Sequence, residues 1–185
     1  MGRIKLGSDR RRGGSGELGA RILKVNHAGE NGAVNIYAGQ ILLARLTAPS
    51  LVAELCEFKA HEERHRAVFW AELRRRQRPR CRSYWLCGLG GFVLGVATGA
   101  LGRQAIAATT VAVERVVLRH LEHQLMMLGG RDKEACEAIA SIVTEERQHH
   151  DRSACHIAGH GLWSKVLSPL VAASTEAVIW VGMRV

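Results

Sequence analysis

Two short stretches, EERH at 62–65 and EERQHHD at 145–151, decide the fold of this chain. Each contains a glutamate followed three residues later by a histidine, and no other of the fourteen glutamates has such a neighbour. Another glutamate lies 32 residues upstream of each pair, so the two halves of the pattern are offset by a constant 84 residues. The six residues of this repeat are Glu30, Glu62, His65, Glu114, Glu146 and His149.

The repeat predicts a buried site for two metal ions. A glutamate and a histidine three residues apart lie on one face of a helix, so both can reach one ion. One glutamate from each of two helices and Glu-x-x-His from each of two others form the ligand set of carboxylate-bridged di-metal sites in four-helix bundles. Four carboxylates and two imidazoles suit iron or manganese better than zinc. We therefore expect a di-iron protein that activates oxygen.

The sequence around the upstream glutamates supports their burial. Ala28, Gly29 and Ala33 surround Glu30, and residues 111–113 before Glu114 are Val, Ala and Val. A glutamate on an apolar helix face is costly unless a cation or another partner satisfies it. A single Glu-x-x-His would most often be a solvated pair, whereas two pairs with matched upstream glutamates favour a metal site.

The composition favours one all-α domain. The 185 residues include only three prolines, 47% of them are hydrophobic, and long helical patterns dominate. We expect a ferritin-like four-helix bundle with a long apolar crossover and an extra C-terminal apolar helix. Residues 1–20 are predicted to be a flexible basic tail, and residues 21–185 the domain itself.

Turn and capping residues place the helices. Pro49 suits the first turn of a helix, Gly129 and Gly130 suit a helix C-terminus, and Asp132 suits an N-cap. Gly159 and Gly161 interrupt the pattern that follows. The four bundle helices are predicted at about 22–46, 50–76, 103–128 and 132–157.

Two apolar segments lie outside the predicted bundle helices. Residues 83–102 include six glycines and no charged residue. The segment is long enough to span a bilayer. Insertion into one leaflet is favoured over a full span, because the next helix must return Glu114 to the site. Residues 162–184 form a last helix that Pro169 is expected to interrupt. Its flanking residues Trp163 and Trp180 suit a membrane interface, and packing on the bundle as a core helix is the alternative.

The charge of the chain favours an anionic surface as a partner. The net charge is +9, and arginines cluster at 10–12, 74–76 and 78–82. No set of base-stacking aromatic residues accompanies them, so we expect no nucleic acid. The last cluster adjoins the apolar segment 83–102, which favours a membrane surface over nucleic acid. An ordinary solvated basic face is an equally weighted alternative.

The cysteines and the N-terminus indicate a reducing compartment without a secretory signal. Five scattered cysteines form no C-x-x-C pair, which argues against a disulfide framework or a zinc ribbon. The first residues lack an apolar signal-peptide core, and Asp9 and Glu17 are unusual in a transit peptide. Several polar residues near the six ligands could orient them, although a surface or packing role is the simpler interpretation for each: His27, His61, His120, His123, His150 and Asp151.

Three motifs resemble the demethoxyubiquinone hydroxylases of the Coq7/Clk-1 type. They are RILKVNHAGENGAVNIYAGQ at 21–40, TVAVERVVLRHLEHQL at 110–125 and EERQHHD at 145–151. The Gly-rich segment at 85–102 is also similar, so the resemblance extends over about residues 21–184. It implies a ferritin-like fold with two irons on the same six ligands: Glu30, Glu62, His65, Glu114, Glu146 and His149.

The resemblance also implies a reaction and its partners. The reaction is hydroxylation of the quinone ring of a demethoxyubiquinone with O2 and electrons from NADH. The partners are a polyprenyl quinone, a membrane surface, and possible contacts with other ubiquinone-biosynthesis proteins or a second copy of the chain. A peripheral location on the cytoplasmic side of a bacterial inner membrane is expected, with the matrix side of a mitochondrial inner membrane as the alternative.

The chain departs from the family pattern at three positions. Asn31 replaces the usual Tyr after HAGE, His61 replaces a Gln before the second-helix ligand, and Leu121 replaces a Tyr after His120. His120 therefore remains a candidate only for a role next to the ligands. Two other functions use the same ligands or the same surface: a ferritin-like iron oxidase or storage protein, and a non-catalytic membrane adaptor.

Overall fold

A computed structural model describes residues 9–157 and 162–184 of the chain. These residues form seven α-helices, a short 3-10 turn at Pro49–Leu51, and no strand, which confirms the all-α prediction. The helices are α1 (Asp9–Thr47), α2 (Val52–Arg75), α3 (Tyr84–Ala100), α4 (Arg103–Leu128), α5 (Lys133–Ala140), α6 (Val143–Ala154) and α7 (Leu162–Gly182).

The bundle is built from two sets of packed helices. Helix α1 packs along α2 and along α3, and helix α4 packs along α6 and α7. Two apolar clusters fill the interior, one that includes Leu23, Phe69 and Leu121 and another that includes Tyr37 and Phe58. On α1 and α2 the predicted ligands come between residues of the two clusters in sequence, so the site lies in the middle of the core rather than at its end.

Several helix termini follow the sequence prediction. Helix α4 begins at Arg103 and ends at Leu128, after which Gly129 adopts a left-handed conformation with φ 52°. Such a C-terminal residue favours glycine because it has no Cβ. Asp132 caps α5 by accepting a hydrogen bond from the backbone N–H of Ala135.

Three boundaries differ from the prediction. Helix α1 begins at Asp9, so residues 9–20 of the expected tail are helical, and its buried Ala20 and half-buried Leu18 contribute to the bundle. The predicted fourth helix is divided into α5 and α6 by a turn at residues 141–142, and no Gly or Pro marks that turn. Helix α7 continues through Pro169, where the ring removes one backbone donor without ending the helix. Residues 1–8, Gly159 and Gly161 lie outside the described residues.

The apolar crossover forms α3, whose glycines face α1. Added Cβ atoms at Gly91 and Gly95 would collide with the backbone carbonyls of Gly32 and Ile36. Five bulky residues of α3 are exposed: Trp85, Leu86, Leu89, Phe92 and Val93. Tyr84, at the start of the helix, is buried against His27 of α1. With 17 residues, α3 is shorter than the roughly 20 residues that a bilayer span needs.

Helix α7 is the other apolar segment. Lys165–Gly182 is long and apolar enough to cross a membrane, and only 11% of this window is buried. Among the described residues it is the one helix that meets this criterion, which is weak support for a span. Val171 is nevertheless buried against Ala112 and Val113 of α4, so α7 also covers the bundle.

Candidate metal centre

The six repeat residues converge inside the bundle. Helices α1 and α4 each supply one glutamate, and α2 and α6 each supply a glutamate and a histidine. All six side chains are buried, with exposed fractions of at most 5%: Glu30, Glu62, His65, Glu114, Glu146 and His149. Burial of four carboxylates in one place requires compensation by protons or cations.

The two imidazoles contact a shared pair of carboxylates. His65 Nδ1 is 2.9 Å from Glu146 Oε1 and 3.6 Å from Glu62 Oε2. His149 Nδ1 is 3.1 Å from Glu62 Oε1 and 3.8 Å from Glu146 Oε2. Both carboxylates therefore contact both imidazoles.

These residues form two overlapping sets of donor atoms. In each set, one donor atom from every residue lies within 4.8 Å of all the others. Glu62 and Glu146 belong to both sets. The remaining members are Glu30 and His65 in one set and Glu114 and His149 in the other. Two donor sets that share two carboxylates could each hold a cation, and such a donor set is typical of di-metal carboxylate bundles.

Buried donor atoms without hydrogen bonds support metal ligation. Four atoms of the cluster are buried and have no hydrogen-bond partner among the described residues: Glu62 Oε1, His65 Nδ1, Glu146 Oε1 and His149 Nδ1. His65 Nδ1 and Glu146 Oε1 are close, but their orientation is not that of a hydrogen bond. Because buried polar atoms are rarely left unsatisfied, lone pairs directed into a common space fit a cation. The residues present thus fit a pair of iron ions.

Without a cation the cluster is balanced by protons. Burial, together with the charges of Glu62 and Glu146, raises the pKa of Glu30 well above its usual value. Burial and the same two carboxylates also raise the pKa of Glu114. In the metal-free protein these two carboxyl groups therefore hold protons under conditions in which an exposed glutamate has none.

The pKa values of the two shared carboxylates and of the two histidines shift so as to favour the charged form of each group. Burial works against ionisation of Glu62 and Glu146, but their contacts with His149 and His65 outweigh it and lower the pKa of both. Burial likewise disfavours the charged imidazoles, yet contacts with the two carboxylates raise the pKa of His65 to about 10 and that of His149 to about 9. Without a cation, these pKa shifts favour charged imidazoles beside ionised Glu62 and Glu146, and protonated Glu30 and Glu114.

Three neighbours fix the orientation of the predicted ligands. Glu145 Oε2 lies 2.8 Å from His65 Nε2, and His61 Nδ1 lies 3.0 Å from His149 Nε2. The hydroxyl of Tyr37 donates a hydrogen bond of 3.0 Å to Glu114 Oε1. Both imidazoles are held through Nε2, which leaves Nδ1 to face the carboxylates.

The other candidate residues lie away from the cluster. His27 stacks between Trp70 and Tyr84, with ring centroids 5.2 and 4.8 Å away. His120 Nε2 lies 2.7 Å from Glu176 Oε2 on α7. His150 pairs with the adjacent Asp151, and His123 is exposed on α4.

Sequence reasoning missed Glu145 and Tyr37. Glu145 precedes a predicted ligand, and adjacent helical residues point in different directions, so periodicity does not place it at the site. In the structure its side chain contacts His65 on α2. Tyr37 lies seven residues after Glu30, two helical turns along the same face, and this spacing could have identified it.

A cavity of about 620 Å³ leads from the surface to the carboxylates. Its walls come mainly from α1, α3, α4 and α7, and they are largely apolar, with residues such as Ile36, Leu94 and Leu170. Glu30, Glu62, Glu114 and Glu146 all line it. An apolar cavity with a few convergent polar groups is the usual form of a small-molecule site.

Comparison with known proteins matches the chain to one family and to several of its members. A family model described as ubiquinone biosynthesis protein COQ7 matches residues 17–182. The chain is 36% identical over 171 residues to NADPH-dependent 3-demethoxyubiquinone 3-hydroxylase, mitochondrial, of Dictyostelium discoideum, covering 89% of this chain and 76% of that protein. It is 36% identical over 167 residues to 3-demethoxyubiquinol 3-hydroxylase of Rhodospirillum rubrum, covering 89% and 77%. The protein of the same name from Homo sapiens, NADPH-dependent 3-demethoxyubiquinone 3-hydroxylase, mitochondrial, is 31% identical over 170 residues. The match covers 89% of this chain and 76% of the human protein.

Proposed function

The chain belongs to the COQ7 family of ubiquinone biosynthesis proteins, and from this membership we infer that it hydroxylates the ring of a demethoxyubiquinone or its quinol. We further propose that the reaction takes place at two iron ions, held by Glu30, Glu62, His65, Glu114, Glu146 and His149. Iron in this site would supply O2 activation. The observation that carries the proposal is a pair of donor sets that share two carboxylates and open into an apolar cavity.

Neighbouring residues of the chain orient the predicted iron ligands. Glu145 and His61 hold the two imidazoles through Nε2, and Tyr37 holds Glu114. The apolar walls of the cavity exclude bulk water from the ring and from the carboxylates. A substrate ring that enters the cavity therefore meets the four glutamates directly, in surroundings of low polarity.

The shape of the cavity suits a polyprenyl quinone. Helices α3 and α7 supply much of its wall, and both expose large apolar residues to the outside, such as Trp85 and Trp180. A prenyl chain could follow this apolar surface while the ring enters between the helices. We propose that the substrate arrives from a bilayer, with the protein bound peripherally at its surface.

The arginine cluster at 78–82, between α2 and α3, supports membrane association. Arg78, Arg80 and Arg82 are exposed directly before α3, and the guanidinium of Arg80 lies 4.5 Å from the ring of Trp70. Exposed cations beside exposed apolar side chains suit anionic headgroups over acyl chains. Placement on the cytoplasmic side of a bacterial inner membrane, the mitochondrial matrix alternative, and contacts with other ubiquinone-biosynthesis proteins or a second copy remain predictions.

A reduced nicotinamide is the proposed source of electrons. The names of the Dictyostelium and human relatives specify NADPH, whereas the sequence resemblance implied NADH. The two agree that reducing equivalents are needed, and we propose that a reduced nicotinamide supplies them directly or through the quinone.

Extracted-quinone mass spectrometry in a host that lacks its own hydroxylase tests the function. The chain should restore ubiquinone and remove the demethoxy precursor, and Glu114→Ala or His149→Ala should abolish this recovery together with iron binding. Full turnover in either variant would refute the assignment of the site.

Metal analysis separates the two competing functions. Iron loading far above two per chain, in a detergent-free cage, would favour an iron oxidase or storage protein. Fewer than one iron per chain after anaerobic reconstitution would favour a non-catalytic adaptor. The exposed apolar faces of α3 and α7 argue against a soluble cage.

A further inference from the structure

Glu176 is the acidic residue of α7, in a helix whose other charged residue is Lys165. Its carboxylate crosses to α4, where Oε1 accepts a hydrogen bond of 2.6 Å from Arg119 and Oε2 lies 2.7 Å from His120 Nε2. The side chain of Glu176 is 42% exposed, and that of His120 is 28% exposed, so the contact joins α7 to α4 beside solvent.

The pair determines which ring nitrogen of His120 can accept a hydrogen bond. A carboxylate only accepts, so the proton between Glu176 and His120 sits on Nε2. In the neutral imidazole, Nδ1 is then an acceptor. Within 9–157 and 162–184, no residue hydrogen-bonds to this nitrogen.

His120 is placed to use that nitrogen on a ligand. It lines the cavity, on the same helix as Glu114 and six residues after it. Most other polar groups of the cavity wall already have partners. The amide of Asn26 pairs with Gln124, which lies outside the lining, and the hydroxyls of Ser174 and Thr175 donate to the backbone carbonyl of Val171.

We propose that Glu176 is a positioning residue, which holds His120 as a hydrogen-bond acceptor for a ring hydroxyl of the substrate. The cavity then selects the quinol over the quinone, because a quinol hydroxyl donates a hydrogen bond and a quinone carbonyl cannot. This inference rests on the proposed function. It names the ring oxidation state that the same cavity binds, and the residue through which it does so.

Equilibrium binding tests the selection. A short-chain demethoxyubiquinol and the matching quinone are titrated separately into the full-length chain under argon, without added reductant. The wild-type protein should bind the quinol more tightly. Glu176→Ala should weaken quinol binding about tenfold and leave quinone binding unchanged, as expected for loss of one oriented hydrogen bond.

Turnover gives a second readout. In the iron-loaded protein, Glu176→Ala should raise KM for the quinol about tenfold with little change in kcat, because ring binding and not the irons is affected. Iron content should equal that of the wild type. Glu176→Gln should restore the wild-type Kd within about threefold, because the amide oxygen still accepts from Nε2.

Two controls separate positioning of His120 from attachment of α7. Arg119→Met removes the other contact of Glu176 and should leave the preference for quinol intact. Glu122→Ala removes an exposed acid of the same helix that pairs with Arg147, and it should also have no effect. His120→Ala should match Glu176→Ala, and the double variant should show no further loss.

The outcomes are distinct. Equal weakening of both ring forms by Glu176→Ala, or a loss of quinol binding in Arg119→Met as large as that in Glu176→Ala, overturns the proposal. If the wild type hydroxylates the substrate but has no preference for the quinol, this inference fails while the proposed function stands. If the wild type binds neither form and forms no product, both fail.

Discussion

Glu145 Oε2 lies 2.8 Å from His65 Nε2, so a partly exposed carboxylate on α6 orients an imidazole on α2. His65 is itself buried, and its other nitrogen faces Glu146, the residue that follows Glu145. Two consecutive glutamates thus hold the two nitrogens of one histidine. The ion pair between Arg152 and Glu57 joins the same two helices.

Removing this orienting carboxylate should weaken metal binding without unfolding the chain. Glu145→Ala is expected to lower iron affinity about 10–100-fold, the usual effect of losing a group that fixes a ligating histidine. Anaerobic competition with a chelator measures it. Glu63→Ala is the matched control, since Glu63 also adjoins a predicted ligand but pairs with Lys59 on the surface. Equal affinity in the two variants would contradict the role of Glu145.

Tyr37→Phe should destabilise the metal-free protein by about 1 kcal/mol, because Glu114 loses a buried hydrogen-bond donor and no other group replaces it. The ring should keep its edge contact with Phe58, so packing is preserved. Urea unfolding of metal-free protein measures the change. A larger loss, in the range typical of a cavity, would mean that the tyrosine acts through packing instead.

The stability of the metal-free protein should fall as the pH rises from 7 to 10. The pKa of His65 is raised to about 10 and that of His149 to about 9, from an ordinary value of 6.5. A raised pKa stabilises the folded state fully below the unfolded-state value, and this stabilisation is lost as pH rises through the folded-state value. The raised pKa values of Glu30 and Glu114 act in the same direction.

Iron should reverse this dependence. Binding to neutral imidazoles and ionised carboxylates releases the protons that the metal-free site holds, so iron affinity should increase with pH. Urea midpoints at pH 7 and 9, with and without Fe(II) under argon, measure both trends. A metal-free protein whose midpoint rises over this interval would contradict the proton-balanced cluster.

The contact of α3 with α1 should tolerate no side chain at Gly95. Gly95→Ala places a methyl group against the carbonyl of Ile36 and should cost about 1–3 kcal/mol. Gly90→Ala is the control, since an added Cβ there has open space, and it should be neutral or slightly stabilising. Thermal unfolding compares the two. Equal stabilities would show that the two helices separate readily.

The convergence of the six residues could be predicted because it depends on helical periodicity. A constant 84-residue offset places equivalent side chains at equivalent positions of two hairpins, and the six predicted residues do converge. Helix α4 was also predictable, since Gly102 and Gly129 bound it. Periodicity gives the face of a helix but not its neighbour, which is why Glu145 was missed.

The errors have local causes. Residues 9–20 contain four glycines, which lowers helix propensity, and tertiary contacts at Leu18 and Ala20 outweigh it. The turn between α5 and α6 carries no breaker residue, and Pro169 acts as a breaker in isolation but not in α7. Pairing of His61 with His149 depends on the distance between two helices, which no one-dimensional pattern contains.

The sharing of Glu62 and Glu146 makes the six donor residues unequal in the effect of their loss. A lesion at Glu30 would impair one position and leave the second with all four of its own donors. Loss of either shared carboxylate would remove one donor from both positions at once. Protein with one cation should therefore be obtained only from variants that lose an unshared donor, such as Glu30. Such protein would allow binding of the first cation to be measured separately from catalysis.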